Sequence, residues 1–576
     1  MKLRWLWVPL LICSFYASPA TADNRVIVRT TLGLQGLQAF CSALPLLQNC
    51  TVVEGLDGTL NQLFLVTTPL DVGTFLNLLS VTPGIVDAEA DQLLSLNSLN
   101  HVTTPPPGLS DTTLVNYYGS TVWYGYVNQP AAQIVRVSQA QSFQVTGRGI
   151  VADIDTGVDP NHPALQPVLL PGYDFTRNQP GGSVMTDFTG IPPSGSTSNI
   201  AQVNQSTAAV LDQSTAAVLD TSPYAAFGHG TMVMGIIHLV APQAQLLPLK
   251  AFSSDGTGDL SNILHAVYYG VQNGANVINM SFDMTSNSLE FSKAMDYANQ
   301  NGVICAASAG NDGMEEPVYP AAYQNDVMGV ASTSNTDTRS SFSNHGDATV
   351  WVAAPGEAII STYPFGTYAA GWGTSFSAPF VSGAAALLRS RQSNINEARA
   401  AAALAHAVPI GPDMGHGRLD LIRALQATSA GTSVDFDGDK KADMSVFRPS
   451  TGEWHVVPSS NPGAPFDQLW GIPGDIPVPG DYDGDGKTDF AVWRPSNGYW
   501  YVIPSSNPSA PFVQLWGISG DIPVPGDYDG SGKTDFAVWR PSNGYWYVIP
   551  SSNPSAPFVQ QSGTNGDVPL EKPIGQ

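Results

Sequence analysis

Six short runs between Gly149 and Gly356 are apolar almost without a break: GIVADID, QLLPLKAF, ANVINMSF, GVICAASAG, DVMGVAST and ATVWVAAPG. A strand with one face in water alternates apolar and polar side chains, whereas a strand covered on both faces reads as a continuous apolar run. The stretches between them carry helical periodicity, clearest over Asp259–Gly274 and Ser288–Gly302. Each of these two ends in Asn-Gly, where a glycine can take the left-handed conformation that closes a helix. Strands alternating with helices predict βαβ units around a parallel sheet, so a layered α/β sandwich is expected from about Ala131 to Ala427.

The rest of the 576 residues falls into regions of different character. Lys2 and Arg4 precede an apolar run from Trp5 to Tyr16 and then Ala20-Thr21-Ala22, which reads as an export leader over residues 1–22, cleaved after Ala22. The run is too short for a membrane anchor, and Ile12 before Cys13 is too large for lipoprotein processing. An exported chain is expected. Residues 23–100 contain VIVRTT, NQLFLVTTP, LDVGTFLNLLSVTPG and IVDAEADQLL, read as two strands, a helix and a strand in a small α+β unit. Residues 101–130, with Pro105, Pro106 and Pro107, read as a linker or exposed arm. In residues 434–576, Asp435, Asp481 and Asp527 head segments spaced 46 residues apart, and a fourth copy opens at Gly566-Asp567. The alternating FAVWRPSNGYWYVIP reads as a hairpin turning at Ser-Asn-Gly, and the period predicts an all-β array of stacked units.

Charge narrows the partners. Acidic residues number 47 against 23 basic, a net charge of -24, and no basic clusters are present to neutralise phosphates, so nucleic acid is excluded as a partner. In an oxidising compartment Cys41 and Cys50 are placed for a local disulfide, while Cys305, in an apolar run, reads as a small buried hydrophobe. No Cys and His stand at metal-ligand spacing.

Three polar residues interrupt this pattern where chemistry needs them. Asp155 closes GIVADID, at the carboxyl end of a parallel strand, where open α/β sheets place their ligands. FGHGTMVMG sets His229 at a helix start, and GTSFSAP sets Ser375 at the glycine-rich opening of an apolar helix whose free amides point toward an oxyanion. Taken singly, each also reads as a turn, a cap or a helix start. Together they are an orienting acid, a base and a nucleophile, the minimum set for attack of a serine hydroxyl on a carbonyl.

These segments, with LVAPQAQLLPLK, GANVINMSF, AASAGND, YPAAY, RSSFSNHG, AAPG and GHGRLDLIRALQA in the same order, resemble the subtilisin-type serine proteases. The resemblance implies a three-layer sandwich with a parallel sheet and a serine endopeptidase that uses no cofactor for catalysis. It assigns Asp155, His229 and Ser375 as the triad, with Asn311 and the Ser375 amide as oxyanion donors. It also implies protein or peptide substrates that add as a strand to two edges, Gly256–Thr257–Gly258 and Ser281–Phe282–Asp283. The family commonly has glycines where Asp283 and Met284 stand, and Val318 falls where a small residue floors the P1 pocket, so a narrower P1 preference is expected. Residues 23–100 resemble the inhibitory propeptide of that family, which makes the chain's own N-terminal unit a partner and the protein a zymogen. Two further departures stand out: QSTAAVLD occurs twice in tandem between Asp155 and His229, and MGIIHLVAP lacks a calcium-wrapping loop while Ala164 stands at a usual ligand position. Both of the latter features argue against calcium in the α/β unit.

Calcium is expected instead in the repeats, which resemble FG-GAP or VCBS repeats. DYDGDGKTD places carboxylates at the first, third, fifth and ninth positions, Asp481, Asp483, Asp485 and Asp489. The matching residues are Asp435, Asp437, Asp439 and Asp443 in the first copy, where Lys440 replaces the loop glycine, and Asp527, Asp529, Ser531 and Asp535 in the third. The repeats could attach the protein to a surface. A competing reading of the whole chain is a catalytically silent scaffold whose repeats bind a polymer or protein.

Overall fold

A computed structural model of the protein describes residues 24–44, 49–96, 106–142, 145–189, 201–202, 224–392, 395–429, 434–439, 441–529 and 531–562. The expected leader, the tandem QSTAAVLD copies, Lys440 and the fourth repeat start lie outside the described residues.

The N-terminal unit comprises β1 (Asn24–Thr30), α1 (Gly33–Ala43), β2 (Thr51–Gly55), β3 (Leu63–Thr68), α2 (Val72–Ser80), β4 (Ile85–Ala90) and β5 (Leu93–Ser95). The first four strands form an antiparallel sheet in the order β2-β3-β1-β4. Strand alternation divides its apolar residues between two cores: Val26, Val28, Phe64 and Val66 pack with Leu37, Phe75 and Leu79 of the two helices, while Ile27, Leu63 and Leu65 join the core of the α/β unit. The sequence reading missed α1 and β2. Two glycines weaken the helical signal of α1, yet Leu37 and Cys41 repeat at helical spacing and are buried, and a Cys41–Cys50 disulfide ties the helix to the start of β2.

The stretch read as a linker or exposed arm is, from Pro106 onward, part of the core. It holds a short 3-10 turn, the hairpin β6 (Leu114–Tyr117) and β7 (Ser120–Trp123), and three helices, α3 (Tyr124–Val127), α4 (Pro130–Ile134) and α5 (Val137–Ser142). Leu109, Val122 and Tyr126 are buried, the Tyr126 hydroxyl donates to the Gly235 carbonyl at 2.6 Å, and Trp123 stacks on Tyr368. Elements this short carry too few periods for a pattern to show, and the aromatic side chains do the anchoring.

All six apolar runs are strands. The sheet has the order β10-β9-β12-β8-β14-β15-β16-β17, built from β8 (Ile150–Asp155), β9 (Tyr173–Asp174), β10 (Gln179–Pro180), β12 (Gln245–Lys250), β14 (Ala275–Met280), β15 (Ile304–Ser308), β16 (Met328–Thr333) and β17 (Val352–Pro355). Its strands are parallel except at the β10 edge. Val151, Val277, Ile304 and Val330 face α6 (His229–Val240) and α9 (Ala378–Arg391), while Ala152, Ile154, Ile278 and Cys305 face α7 (Leu260–Gln272) and α8 (Leu289–Gln300). That double coverage is why these strands read as unbroken apolar runs. β8 is flanked by β12 on one side and β14 on the other, so the chain reverses its direction of winding there, and a crevice opens at the carboxyl end of β8. A smaller sheet joins β11 (Ala201–Gln202), β18 (Ile359–Tyr363) and β19 (Thr367–Gly371), β13 (Thr257–Asp259) pairs with β5, and α10 (Glu397–Leu404) and α11 (Leu421–Ser429) end the unit.

Three antiparallel sheets follow, one per repeat, of three, four and four strands. Arg494 pairs with Tyr499 across the expected Ser-Asn-Gly turn. Each unit is tied to the next by the same bonds: Trp470 Nε1 donates to the Tyr501 carbonyl and Trp516 Nε1 to that of Tyr547, while Lys487 Nζ reaches Asp437 O and Lys533 Nζ reaches Asp483 O.

Because Tyr126 locks the 106–142 segment onto α6, Tyr126→Ala is expected to cost on the order of 3–5 kcal/mol, the range for emptying a buried aromatic site. Chemical denaturation of the full chain followed by tryptophan fluorescence checks this, with the midpoint moving to lower denaturant.

Candidate active site

Asp155 ends β8 at the crevice and is shut away from water. One carboxylate oxygen accepts the Thr156 amide at 2.6 Å, and both oxygens lie 2.8 Å from His229 Nδ1. With two carboxylate oxygens against it, Nδ1 carries the imidazole proton, which leaves Nε2 as the basic nitrogen. Nε2 is buried and has no hydrogen-bond partner among the described residues. Glycines permit this approach. A Cβ on Gly230 would stand 2.5 Å from the Gly157 carbonyl and 3.1 Å from Asp155 Cβ, and Gly228, with φ 87°, caps α6 in a conformation that suits glycine.

Ser375 lies in a 3-10 turn, Thr374–Phe376, that feeds α9. Its Oγ donates to the Ser281 carbonyl at 3.1 Å, and Ser281 Oγ donates back to the Ser375 carbonyl at 2.9 Å, so the nucleophile candidate is clamped to the end of β14. Asn311 follows β15. Its side-chain oxygen accepts both the Thr374 amide, at 2.8 Å, and the Thr374 hydroxyl, at 3.0 Å. This fixes the amide orientation, because a backbone N–H can bond only to the oxygen, and it leaves Nδ2 free to donate.

The expected substrate edges flank this centre. Thr257 and Gly258 are in β13, which is already paired: β5 runs antiparallel to it with Ser95 opposite Thr257 and Leu94 opposite Gly258, and Leu96 N donates to the Gly256 carbonyl at 2.9 Å. On the other side, Phe282 turns its ring into the core against Phe252 and contributes only backbone to the edge, its carbonyl accepting Ser308 Oγ. Met284 and Tyr319 exchange both backbone hydrogen bonds, with Val318 buried just before them.

The Subtilase family model matches residues 147–441. The chain belongs to the subtilase family. It is 32% identical over 283 residues to thermitase of Thermoactinomyces vulgaris, covering 47% of this chain and 86% of that one. It is 34% identical over 251 residues to a thermophilic serine proteinase of Bacillus sp. (strain AK1), covering 44% and 54%, and 39% identical over 173 residues to subtilisin BL of Lederbergia lenta, covering 28% and 64%. The fold is the subtilisin-like α/β sandwich, and this subtilase is a serine-type endopeptidase acting on proteins.

Around the subtilase site stand polar residues that motif reading passed over. Asn279 Nδ2 donates to Asp153 and to Ser281 Oγ, and its oxygen accepts Ser382 Oγ, so a buried chain of bonds runs from Asp153 to the turn that holds Ser375. Burial and the neighbouring Asp155 push the Asp153 carboxyl well above the usual range. Its signal was visible as an Asp inside an apolar strand. Thr374 could have been found from its place directly before Ser375.

In the repeats the structure gathers some of the expected ligands and not others. Asp435, Asp437 and Asp443 have ligand oxygens within 4.8 Å of one another, as do Asp481, Asp483 and Asp489, and Asp527, Asp529 and Asp535. Asp439 and Asp485, the fifth-position acids, are not in these groups and accept Ser459 Oγ and Ser505 Oγ, while Ser531 of the third copy pairs with Ser551. A serine one loop away gives each of them a partner.

The N-terminal unit is held over the subtilase domain by charge as well as by β5. Arg29 bonds buried Glu290 and the Tyr268 hydroxyl, Arg25 bonds Asp91 and Ser261, and Glu89 takes the Ser288 hydroxyl and the Leu289 amide at the start of α8. Removing one member of a buried, hydrogen-bonded charge pair costs about 2–5 kcal/mol. Arg29→Ala in the full chain is therefore expected to loosen the unit, with the Leu94 and Leu96 amides exchanging hydrogen faster than in the wild type.

Proposed function

We propose that the protein is a secreted serine endopeptidase made as a zymogen, in which Ser375 forms an acyl-enzyme with a peptide carbonyl. The observation that carries this reading is the buried Asp155–His229 pair with a free Nε2. Burial makes the Asp155 carboxylate worth more to the imidazolium that forms when His229 accepts the Ser375 proton. His229 then returns that proton to the leaving amine, and water repeats the cycle on the ester. The Ser281 carbonyl that takes the Ser375 hydroxyl also lies on the substrate edge, so an incoming peptide N–H competes for it and frees the hydroxyl for His229. Asn311 Nδ2 and the Ser375 amide receive the oxyanion, with Thr374 as the positioning residue for Asn311.

The zymogen reading is supported by β5, which occupies in antiparallel pairing the edge that an extended substrate would use. Its sheet would leave after a cut in the segment beyond Leu96, and the apolar leader supports export. In the repeats, Asp481, Asp483 and Asp489 and their counterparts fit calcium in donor chemistry. They are all oxygen and at least doubly acidic, and each carboxylate oxygen that already accepts an N–H keeps a second acceptor site. Calcium there would neutralise clustered carboxylates and stiffen the loops, leaving the array as an attachment module. The silent-scaffold alternative has no observation in its favour.

A fluorophosphonate probe is expected to label the wild type and not Ser375→Ala, and the secreted Ser375→Ala chain should keep the Asp23 start while the wild type begins beyond Leu96. No labelling, or identical N-termini, would count against the reading. Asn311→Ala should lower kcat by about 10²–10³ with little change in KM. Chelation with EGTA should lower the thermal midpoint of the repeats, and Asp437→Asn, Asp483→Asn and Asp529→Asn together should abolish that response.

A further inference from the structure

Asp283 is a carboxyl group beside the reaction centre that the mechanism above leaves without a task. It stands two residues after Ser281, whose carbonyl holds the Ser375 hydroxyl, and one before Met284, which is fixed to Tyr319. Across from it lies the turn after β15: a Cβ on Gly310 would sit 3.3 Å from Asp283 Oδ2, and Gly310 directly precedes Asn311. The bond from Ser308 Oγ to the Phe282 carbonyl, at 3.0 Å, clamps these two segments side by side. The carboxyl is thus lodged between the two backbone walls that lead to Ser375.

Among the described residues Asp283 has no hydrogen-bond or ion-pair partner. Burial and the nearby Asp312 carboxylate push it up to about 7. A partly buried acceptor without a donor is costly, and the cost is relieved by a ligand that brings one.

Chain direction identifies which substrate residue meets it. β5 advances along β13 from Leu93 to Leu96, and Gly256, which accepts the Leu96 amide, lies against Ala226, three residues before His229. A peptide on this edge therefore runs toward the triad in its N-to-C direction. Its residues along β13 precede the bond that is cut, and the last of them, P1, comes to lie beside Ser281–Asp283.

Resting on the serine-protease reading, we propose that Asp283, with Asp312 behind it, selects substrates whose P1 side chain carries an N–H donor, the amide of Gln or Asn or the cation of Lys or Arg. The chain's own sequence accords with this: the segment continuing from β5 is Asn97-Ser98-Leu99-Asn100-His101, with N–H side chains at 97, 100 and 101, and no Lys or Arg occurs between Arg29 and Arg136.

The test uses the activated full-length protein, with active sites counted by fluorophosphonate titration, and four peptides differing only at P1: Gln, Arg, Phe and Leu. Wild type is expected to favour Gln and Arg over Phe and Leu in kcat/KM by about tenfold or more, since a site built to bond an N–H rejects analogues that lack it. Asp283→Gly should erase most of that ratio, and Asp283→Asn should reduce Arg more than Gln. Gln at or above Arg identifies the amide as the preferred source, and Arg well above Gln the cation; either result supports the assignment. A titratable wild type that favours Phe or Leu, or a ratio that persists in Asp283→Gly, overturns it while leaving the protease reading intact. A wild type that the probe does not label overturns the protease reading and this assignment with it.

Discussion

A carboxylate shut away from water at the end of β8 governs the arrangement of everything near it. An isolated buried charge is too costly to persist, so Asp155 must be met by donors, and it is: the Thr156 amide and His229 Nδ1–H converge on its two oxygens. Meeting them requires α6 to start within contact of the strand, which in turn requires Gly228 and Gly230, and the buried length of α6 then fixes where α9 and Ser375 can lie. Asp153, two residues earlier on the same side of the strand, shows the other outcome. With a single donor, from Asn279, and a second carboxylate close by, its carboxyl is pushed well above the usual range. One strand thus carries two buried acids in contrasting surroundings, set by the donors each receives.

The N-terminal unit follows a related logic at larger scale. Both faces of its sheet pack against a core: one against α1 and α2, the other against the subtilase domain. Apolar contact alone would give adhesion with little choice of register. The buried pairing of Arg29 with Glu290 and the Glu89 contact at the start of α8 supply direction, because each is satisfied in one docked position only. With the sheet held there, β5 falls on the β13 edge in a single register.

The six central strands and two helices were legible because each is long enough for a pattern and its environment is uniform along its length. The turns that bear Asp155, His229 and Ser375 were legible for a different reason, since glycine and a lone polar residue stand out at the ends of apolar runs. What escaped was short or shared. α1 hides behind its two glycines, and the 106–142 segment is held by single aromatic residues such as Tyr126 that leave no periodic trace. Asn279 and Thr374 act by bonding residues far away in sequence, 126 and 63 positions off, and no local pattern records such a partner. Likewise, the spacing of DYDGDGKTD marked the fifth position as equivalent to the others, whereas the structure gives Asp485 a serine 20 residues on.

The repeats stand in another energetic regime from the subtilase domain. Each unit bonds its neighbour through a tryptophan and a lysine, so their stability is a sum of local terms, whereas the parallel sheet depends on contacts across the whole domain. The two regimes meet at α9. Its first turn follows directly from Ser375, and at its last residue Arg391 reaches the carbonyl of Asp527 in the third repeat at 3.3 Å. That bond joins a partly exposed guanidinium to the repeat, while the body of α9 is buried through Leu388. The helix that follows Ser375 is therefore held along most of its length by its own domain, and the third repeat touches it at the far end.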